Sequence, residues 1–66
     1  MPITLYKTLR DFGGPGVDVQ RELVVEDDAL IQRDDGQQTA RIEISPFTRE
    51  QWIRSFLDNG FKKVEP

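Results

Sequence analysis

Apolar and polar positions alternate along most of the first two thirds of the chain, which is the pattern of strands with one buried face. The alternation is broken at Gly13-Gly14-Pro15-Gly16, at Glu26-Asp27-Asp28 and at an Asp35-Gly36 tip, all of which are turn sequences. The pattern therefore predicts four antiparallel strands joined by hairpin loops, with apolar positions at Ile3, Leu5 and Leu9; Val17, Val19, Leu23 and Val25; Ala29 and Ile31; and Ala40, Ile42 and Ile44.

A helical period replaces the alternation after Pro46, and it predicts a helix from about Thr48 to Asn59. Arg49 lies off the apolar face of this helix. The apolar face of the helix is long enough to cover a small sheet. Because Trp52 belongs to this face, we expect the only tryptophan to be buried against Leu5, Leu23 or Ile31. The residues of the face are Trp52, Ile53, Phe56 and Leu57.

Both ends of the predicted helix carry local signals, one for the start of a helix and one for its end. Thr48 and Gln51 have the spacing of a capping box, and Phe47 is placed to form a hydrophobic staple with the first apolar residue of the helix. Gly60 fits the left-handed position after the last turn, with Phe61 folding back onto the helix end.

The order of elements predicts an α+β fold in which a four-stranded antiparallel meander packs on one C-terminal α-helix. The segment from Lys62 to Glu65 is either a short fifth edge strand or a tail, and the sequence does not decide between them. We expect residues 1–66 to form a single domain, near the smallest size at which one core suffices without disulfides or metals.

Composition removes several classes of function. The chain has 66 residues, no Cys and no His, so disulfides, thiolate metal sites and the commonest general base are excluded. No apolar run approaches the length of a membrane span, and the N-terminus lacks the form of a signal peptide. We therefore expect a cytoplasmic protein that is not an enzyme, with no catalytic residues, cofactor, metal or membrane contact. The acidic turns lack the spacing of a calcium loop and are interpreted as solvated turns.

Pairing the strands through their turns brings three cations together. With the first hairpin centred on Gly14 and the second on Asp27, Lys7 faces Arg21 and Arg21 faces Arg33, while the Asp35-Gly36 tip sets Arg33 against Gln38. Like charges opposite one another destabilise a sheet, so the row of Lys7, Arg21, Arg33 and Gln38 needs an explanation.

Three explanations are open. The row is a positive stripe that meets an anionic partner beside the helix; or its side chains reach around the helix edge to Asp11, Asp58, Glu65 or the terminal carboxylate; or one bulge changes the register and scatters the row. On the first explanation, the candidate partner-binding residues are Lys7, Arg21, Arg33 and Gln38, together with the aromatic Tyr6.

Two fragments resemble the single-stranded-DNA-binding transcriptional coactivators of the positive-cofactor-four type. They are Arg10-Asp11-Phe12 at the end of the first strand and Glu50-Gln51-Trp52 in the first helical turn. The resemblance implies four antiparallel strands followed by a helix, dimerisation and binding of single strands. The chain departs from that family in a longer segment between the fragments and in lacking its lysine-rich strands.

These observations lead us to expect a small non-enzymatic regulator, adaptor or inhibitor that docks on another protein, of a kind suited to a phage or mobile-element accessory gene. The alternative is a single-stranded nucleic-acid-binding protein of the coactivator type, which the net charge of −3 disfavours. The sequence leaves homodimerisation open.

Overall fold

A computed structural model describes residues 1–64 of the chain as one antiparallel sheet with a single helix. The sheet order is β4-β3-β2-β1-β5, so the first four strands form a meander and the fifth strand adds beside the first. This confirms the predicted α+β fold. Of the two alternatives left open for the segment from Lys62 to Glu65, the short strand is present at Lys62–Lys63; Glu65 lies outside the described residues. The elements are β1 (Ile3–Leu9), β2 (Val19–Val25), β3 (Ala29–Asp34), β4 (Gln37–Glu43), α1 (Arg49–Asp58) and β5 (Lys62–Lys63).

The core lies between α1 and one face of the sheet, which we call the helix face. Leu5 and Val25 have no solvent exposure, and Ile53 of the helix packs in the same cluster. Each fully buried side chain of this size stabilises the fold by about 1.5–3 kcal/mol. The opposite face, which carries Tyr6, Val24 and Ile31, has no helix over it, and we call it the open face. The core cluster consists of Leu5, Leu23, Val25, Leu30, Ile44 and Ile53, with Ile3, Phe56 and Phe61 packed against it.

The register of the first hairpin is the predicted one, with Leu9 opposite Val19 and Lys7 opposite Arg21. Its loop is held by hydrogen bonds of its own, since the Asp11 Oδ1 atom accepts from Gly16 N at 2.7 Å and Gly13 N donates to Val17 O at 3.0 Å. The glycine cluster therefore closes a hairpin loop, as its composition predicts.

The register of the second hairpin differs from the prediction by one residue. Glu26 N donates to Ala29 O at 2.8 Å, so the loop contains the two residues Asp27 and Asp28 and is not centred on Asp27. A shift of one residue turns every side chain of a strand to the other face. In β3, consequently, Leu30, Gln32 and Asp34 lie on the helix face, where Ala29, Ile31 and Arg33 were expected.

The third hairpin has the predicted two-residue tip, in which both Asp35 and Gly36 have positive φ (50° and 87°), as a type I′ turn requires. Arg33 pairs with Gln38 as predicted. An irregularity between Gln32 and Arg33 then shifts the pairing by one residue and returns Ala40 and Ile42 to the helix face.

The C-terminal end of α1 follows the prediction. Gly60 has φ of 94° and its N–H donates to Leu57 O at 3.2 Å, while Phe61 N donates to Phe56 O at 3.1 Å. These two bonds form a Schellman motif. The rings of Phe56 and Phe61 meet edge to face with their centroids 5.5 Å apart, which fixes the chain direction into β5.

The N-terminal end of α1 corrects three predictions. Thr48 makes no side-chain capping bond; its hydroxyl instead donates to Ser45 O at 3.0 Å, so the capping box does not form. Phe47 is 94% exposed, so there is no hydrophobic staple. Trp52 stacks on Phe56 and remains 37% exposed instead of being buried against the sheet.

Arg49 takes over the attachment of this helix end, although its position in the sequence suggested solvent. Its side chain is only 15% exposed, and its guanidinium donates to Glu26 O at 3.1 Å, to Val25 O at 3.3 Å and to Met1 O. One side chain thus joins the first helical turn to the end of β2 and to the start of the chain. Within residues 1–64, α1 is too short and too polar to cross a membrane.

Candidate binding cleft at the β1 edge

The structure separates the five residues of the predicted partner-binding surface into two groups. Lys7 and Arg21 lie on the helix face, whereas Tyr6, Arg33 and Gln38 lie on the open face. The predicted basic row is therefore wrong. Arg21 is opposite Asp34 in β3, and Arg33 is opposite Glu22, because of the one-residue shift in the second hairpin. The third of the three explanations, a changed register, accounts for the scatter.

Arg21 is occupied within the protein. Its Nε donates to the Asp34 Oδ1 atom at 2.8 Å and its Nη2 to Oδ2 at 3.1 Å, and its guanidinium carbon lies 5.0 Å from the centre of the Phe12 ring. The two side chains of the pair are only 21% and 17% exposed. The hydrogen bond from Arg21 holds the pKa of Asp34 below its usual range, and the same bond raises the pKa of Arg21. Arg21 is a structural residue of the helix face.

Lys7 reaches around the edge of the sheet to the helix, as the second explanation supposed, but its partner is a backbone carbonyl. Its Nζ donates to Asn59 O at 2.7 Å and lies 5.6 Å from the centre of the Phe61 ring. A cation at the C-terminus of a helix is favoured by the helix dipole. The ammonium group has donors left over for a further acceptor.

Tyr6, Arg33 and Gln38 belong to one row of the open face, which runs across the sheet in the order Lys62, Tyr6, Glu22, Arg33, Gln38. The Tyr6 side chain is half-exposed. Among residues 1–64, Arg33 forms no ion pair, and its guanidinium is exposed. The three predicted residues of this face therefore share a row but do not form a cluster, since Glu22 separates Tyr6 from Arg33.

Cations do cluster at the edge of β1, where the structure has an open cleft of about 340 Å³. Of the predicted residues, Tyr6 and Lys7 line it. Arg10 and Lys62 add two further cations, and within the described chain no carboxylate is part of the lining. The full lining is Tyr6, Lys7, Thr8, Arg10, Gly60 and Lys62.

The short length of β5 creates this cleft. β5 pairs with β1 only at Leu5 and Tyr6, and Val64 N donates to Thr4 O at 2.9 Å. Backbone groups alternate in direction along an antiparallel strand, so Thr4, Tyr6 and Thr8 turn their N–H and C=O groups toward the β5 side. Because β5 begins at Lys62 and the chain before it turns back at Gly60, the Thr8 backbone faces the cleft instead of a strand.

Arg10 and Lys62 are functional candidates that the sequence interpretation did not select. Arg10 was assigned to a family fragment and Lys62 to an undecided tail, and the two are far apart in the chain. A single signal could have found them. If β5 is assumed to pair beside β1 with Lys62 opposite Tyr6, alternation places Lys62 and Arg10 on the face of Tyr6.

Within residues 1–64, no group of three or more acidic side chains is placed to hold a metal ion. Comparisons with family models, with curated proteins and with solved structures give no match to this chain. The geometry of the cleft is accordingly the starting point for function.

Proposed function

We propose that this protein is a non-enzymatic docking module, a small regulator, adaptor or inhibitor, that binds an acidic segment of another protein in the cleft at the β1 edge. The observation that carries the proposal is the concentration of three cations around one cleft in a chain whose net charge is −3. The absence of Cys and His supports a binding role over catalysis and a reducing compartment such as the cytoplasm.

The cleft offers an acidic segment three kinds of contact. Arg10 and Lys62 are exposed and form no ion pair among residues 1–64, so they provide charge-assisted hydrogen bonds to carboxylates. The outward backbone N–H of Thr8 is a further donor. Tyr6 provides an aromatic ring and a hydroxyl, a combination that is common at protein interfaces.

Local charge also orients the partner. The carboxylates of Glu26, Asp27 and Asp28 lie at the β2–β3 turn, which is not part of the cleft. An acidic segment is repelled by that turn and attracted by the cleft, so these charges favour its approach to the cleft.

A second candidate function is binding of single-stranded nucleic acid, and one observation favours it. Tyr6 is a half-exposed aromatic ring on a sheet face without a helix, directly opposite Lys62. Such a ring can stack on a base while nearby cations contact phosphates. We rank it second because the net charge of the chain opposes a polyanion and because the cleft contains a single aromatic residue.

The test compares the double variant Arg10→Gln/Lys62→Gln with the matched control Arg54→Gln/Lys63→Gln. Both remove two positive charges at exposed positions, but Arg54 lies on the helix and Lys63 faces the other side of β5, so neither lines the cleft. Lys7 is kept, because its bond to Asn59 also stabilises the helix end. The probes are a fluorescent oligoglutamate peptide and a fluorescent oligothymidylate, titrated by anisotropy over a range of salt concentrations.

We expect the peptide to bind the wild type and the control with equal affinity. Its affinity for the cleft variant should be lower by a factor of at least about ten, since two charge-assisted contacts are lost. Equal binding by both variants would show that the cleft is not the site. Binding of oligothymidylate at physiological salt, with a salt slope that falls by about 1.4 in the cleft variant at roughly 0.7 per contact, would make nucleic acid the ligand.

A further inference from the structure

We propose that two copies of this chain associate through the outer edge of β4, with the two strands antiparallel and with Ile42 on the two-fold axis. β4 (Gln37–Glu43) is the last strand of the sheet on the side away from β5, and among residues 1–64 nothing pairs with its outer edge. This inference is independent of the proposed function, because β4 forms one edge of the sheet and the β1 cleft lies at the opposite edge.

The direction of the β4 backbone follows from one hydrogen bond. Ile44 N donates to Asp28 O at 2.9 Å, in the same register that pairs Leu30 with Ile42. Hydrogen-bonded and non-hydrogen-bonded pairs alternate in an antiparallel ladder, so Ile42 also turns its backbone groups toward β3. The N–H and C=O groups of Arg41 and Glu43 therefore point away from the sheet.

Only residues with outward backbone groups can form the hydrogen-bonded pairs with a second copy. Three registers are then available around this part of the strand. One sets Arg41 opposite Arg41 of the second copy, and another sets Glu43 opposite Glu43. The register centred on Ile42 sets Arg41 of each copy opposite Glu43 of the other, so opposite charges meet at both ends of the new ladder.

The same register is complementary on the helix face. Ile42 is 47% exposed there and lies opposite its own equivalent in the second copy, so each isoleucine covers the other. Beside it, a groove of about 480 Å³ runs between the end of β4 and α1, and Ile44 and the partly exposed Trp52 contribute its apolar lining. The edge of the second copy closes the open side of that groove.

Local features limit the ladder to a short segment. The irregularity opposite Gln32 and Arg33 interrupts β4 before Ala40, and Pro46 has no N–H to donate. Charged side chains on an edge strand commonly discourage pairing, and like charges opposite one another do so most directly. The Arg41 and Glu43 pair has opposite signs and therefore attracts an antiparallel copy.

The test is a set of charge variants analysed by sedimentation equilibrium up to about 1 mM, since small interfaces bind weakly. Arg41→Glu and Glu43→Arg each create two like-charge pairs in the proposed register, whereas the double swap Arg41→Glu/Glu43→Arg restores opposite charges. We expect the wild type and the double swap to dimerise. The dimer affinity of each single variant should be lower by a factor of at least about ten. The substitution of Arg41 also removes a long, exposed contact to Glu26, which is worth little.

Three sedimentation results would overturn the proposal: a wild type that remains monomeric throughout, dimerisation that is equal in all four proteins, or a folded double swap that fails to dimerise. Amide exchange provides a second measurement that needs no variant. The N–H groups of Arg41 and Glu43 should become protected as concentration rises, and unprotected amides in the concentrated sample would contradict the ladder. The cleft variant Arg10→Gln/Lys62→Gln should dimerise normally, so failure of the proposed function would not affect this result.

Discussion

The two faces of the sheet differ in how their charged residues are used. On the helix face, Arg21 is paired with Asp34, and Lys7 is bonded to the helix carbonyl of Asn59. On the open face, Arg33 and Lys62 form no ion pair within the described chain. Arg21 and Lys7 thus have partners within the protein, because an unpaired charge next to the core is costly, whereas Arg33 and Lys62 are exposed to solvent.

The role of a charged residue in an alternating strand depends on the face to which the strand register assigns it. Arg21 and Arg33 have equivalent positions in the sequence pattern, yet Arg21 is paired with Asp34 on the helix face and Arg33 is exposed on the open face. Two predictions test this division by pairing a residue of the helix face with one of the open face; a pH profile and a comparison of the two ends of α1 follow them.

The largest effect is expected from the core. Leu23 is 2% exposed on the helix face, and Leu23→Ala should lower the free energy of unfolding by about 2–5 kcal/mol. Ile31 is only partly buried on the open face, so Ile31→Ala should cost less than half as much as Leu23→Ala. Urea denaturation measures both. Equal losses would mean that Ile31 is packed as a core residue and that the division into two faces is wrong.

A smaller effect is expected from the arginines. Arg21→Gln removes two charge-assisted hydrogen bonds to a mostly buried carboxylate and should cost about 1–3 kcal/mol. Arg33→Gln should stay within about 0.5 kcal/mol of the wild type, because Arg33 is exposed. The same denaturation measurement compares them, and a larger loss for Arg33→Gln would refute the assignment.

The stability of Arg21→Gln as a function of pH provides a further test of the Arg21–Asp34 pair. Since the bond from Arg21 lowers the pKa of Asp34, its contribution to stability is complete above the ordinary range of aspartate. That contribution is lost as the pH falls through the lowered pKa of the folded protein. The difference in stability between the wild type and Arg21→Gln should therefore shrink on acidification, and a constant difference would show that the pair is not the cause.

The smallest effect is expected at the helix end to which Lys7 is bonded. Gly60 has a positive φ, so Gly60→Ala should cost about 1 kcal/mol. Thr48→Ala is the control at the other end, and it should cost only a few tenths of a kcal/mol, since Thr48 makes no capping bond. Thermal denaturation would contradict this account if Thr48→Ala proved the more damaging change.

Much of the fold could be predicted because its signals are local. Alternation places the strands, the helical period places α1, and the glycine at position 60 marks the end of the helix, since each depends on neighbours a few residues away. The first hairpin register also followed, because both strands carry a long alternation that a slip would expose to solvent. The Asp35-Gly36 sequence predicts a two-residue type I′ turn, which is the turn present.

The candidate site could be predicted only in part. Tyr6 and Lys7 were selected and do line the cleft, but Arg10 and Lys62 join them only because β5 returns beside β1. In the second hairpin, acidic residues suit loops of different lengths equally well. The choice of a two-residue loop over a centre on Asp27 is made by the packing of β3 on the helix face.

The elements, their order and the apolar side of most strands follow from the amino-acid sequence, because they depend on the local periodicity of side chains. The face of β3, the burial of Arg49 and the exposure of Trp52 are set by the tertiary fold. Those three features depend on contacts between residues distant in the chain. A shift of one residue in the second hairpin changes the face of β3 without any change in the local pattern. Arg49 is buried because its guanidinium reaches three backbone carbonyls, which no local pattern indicates.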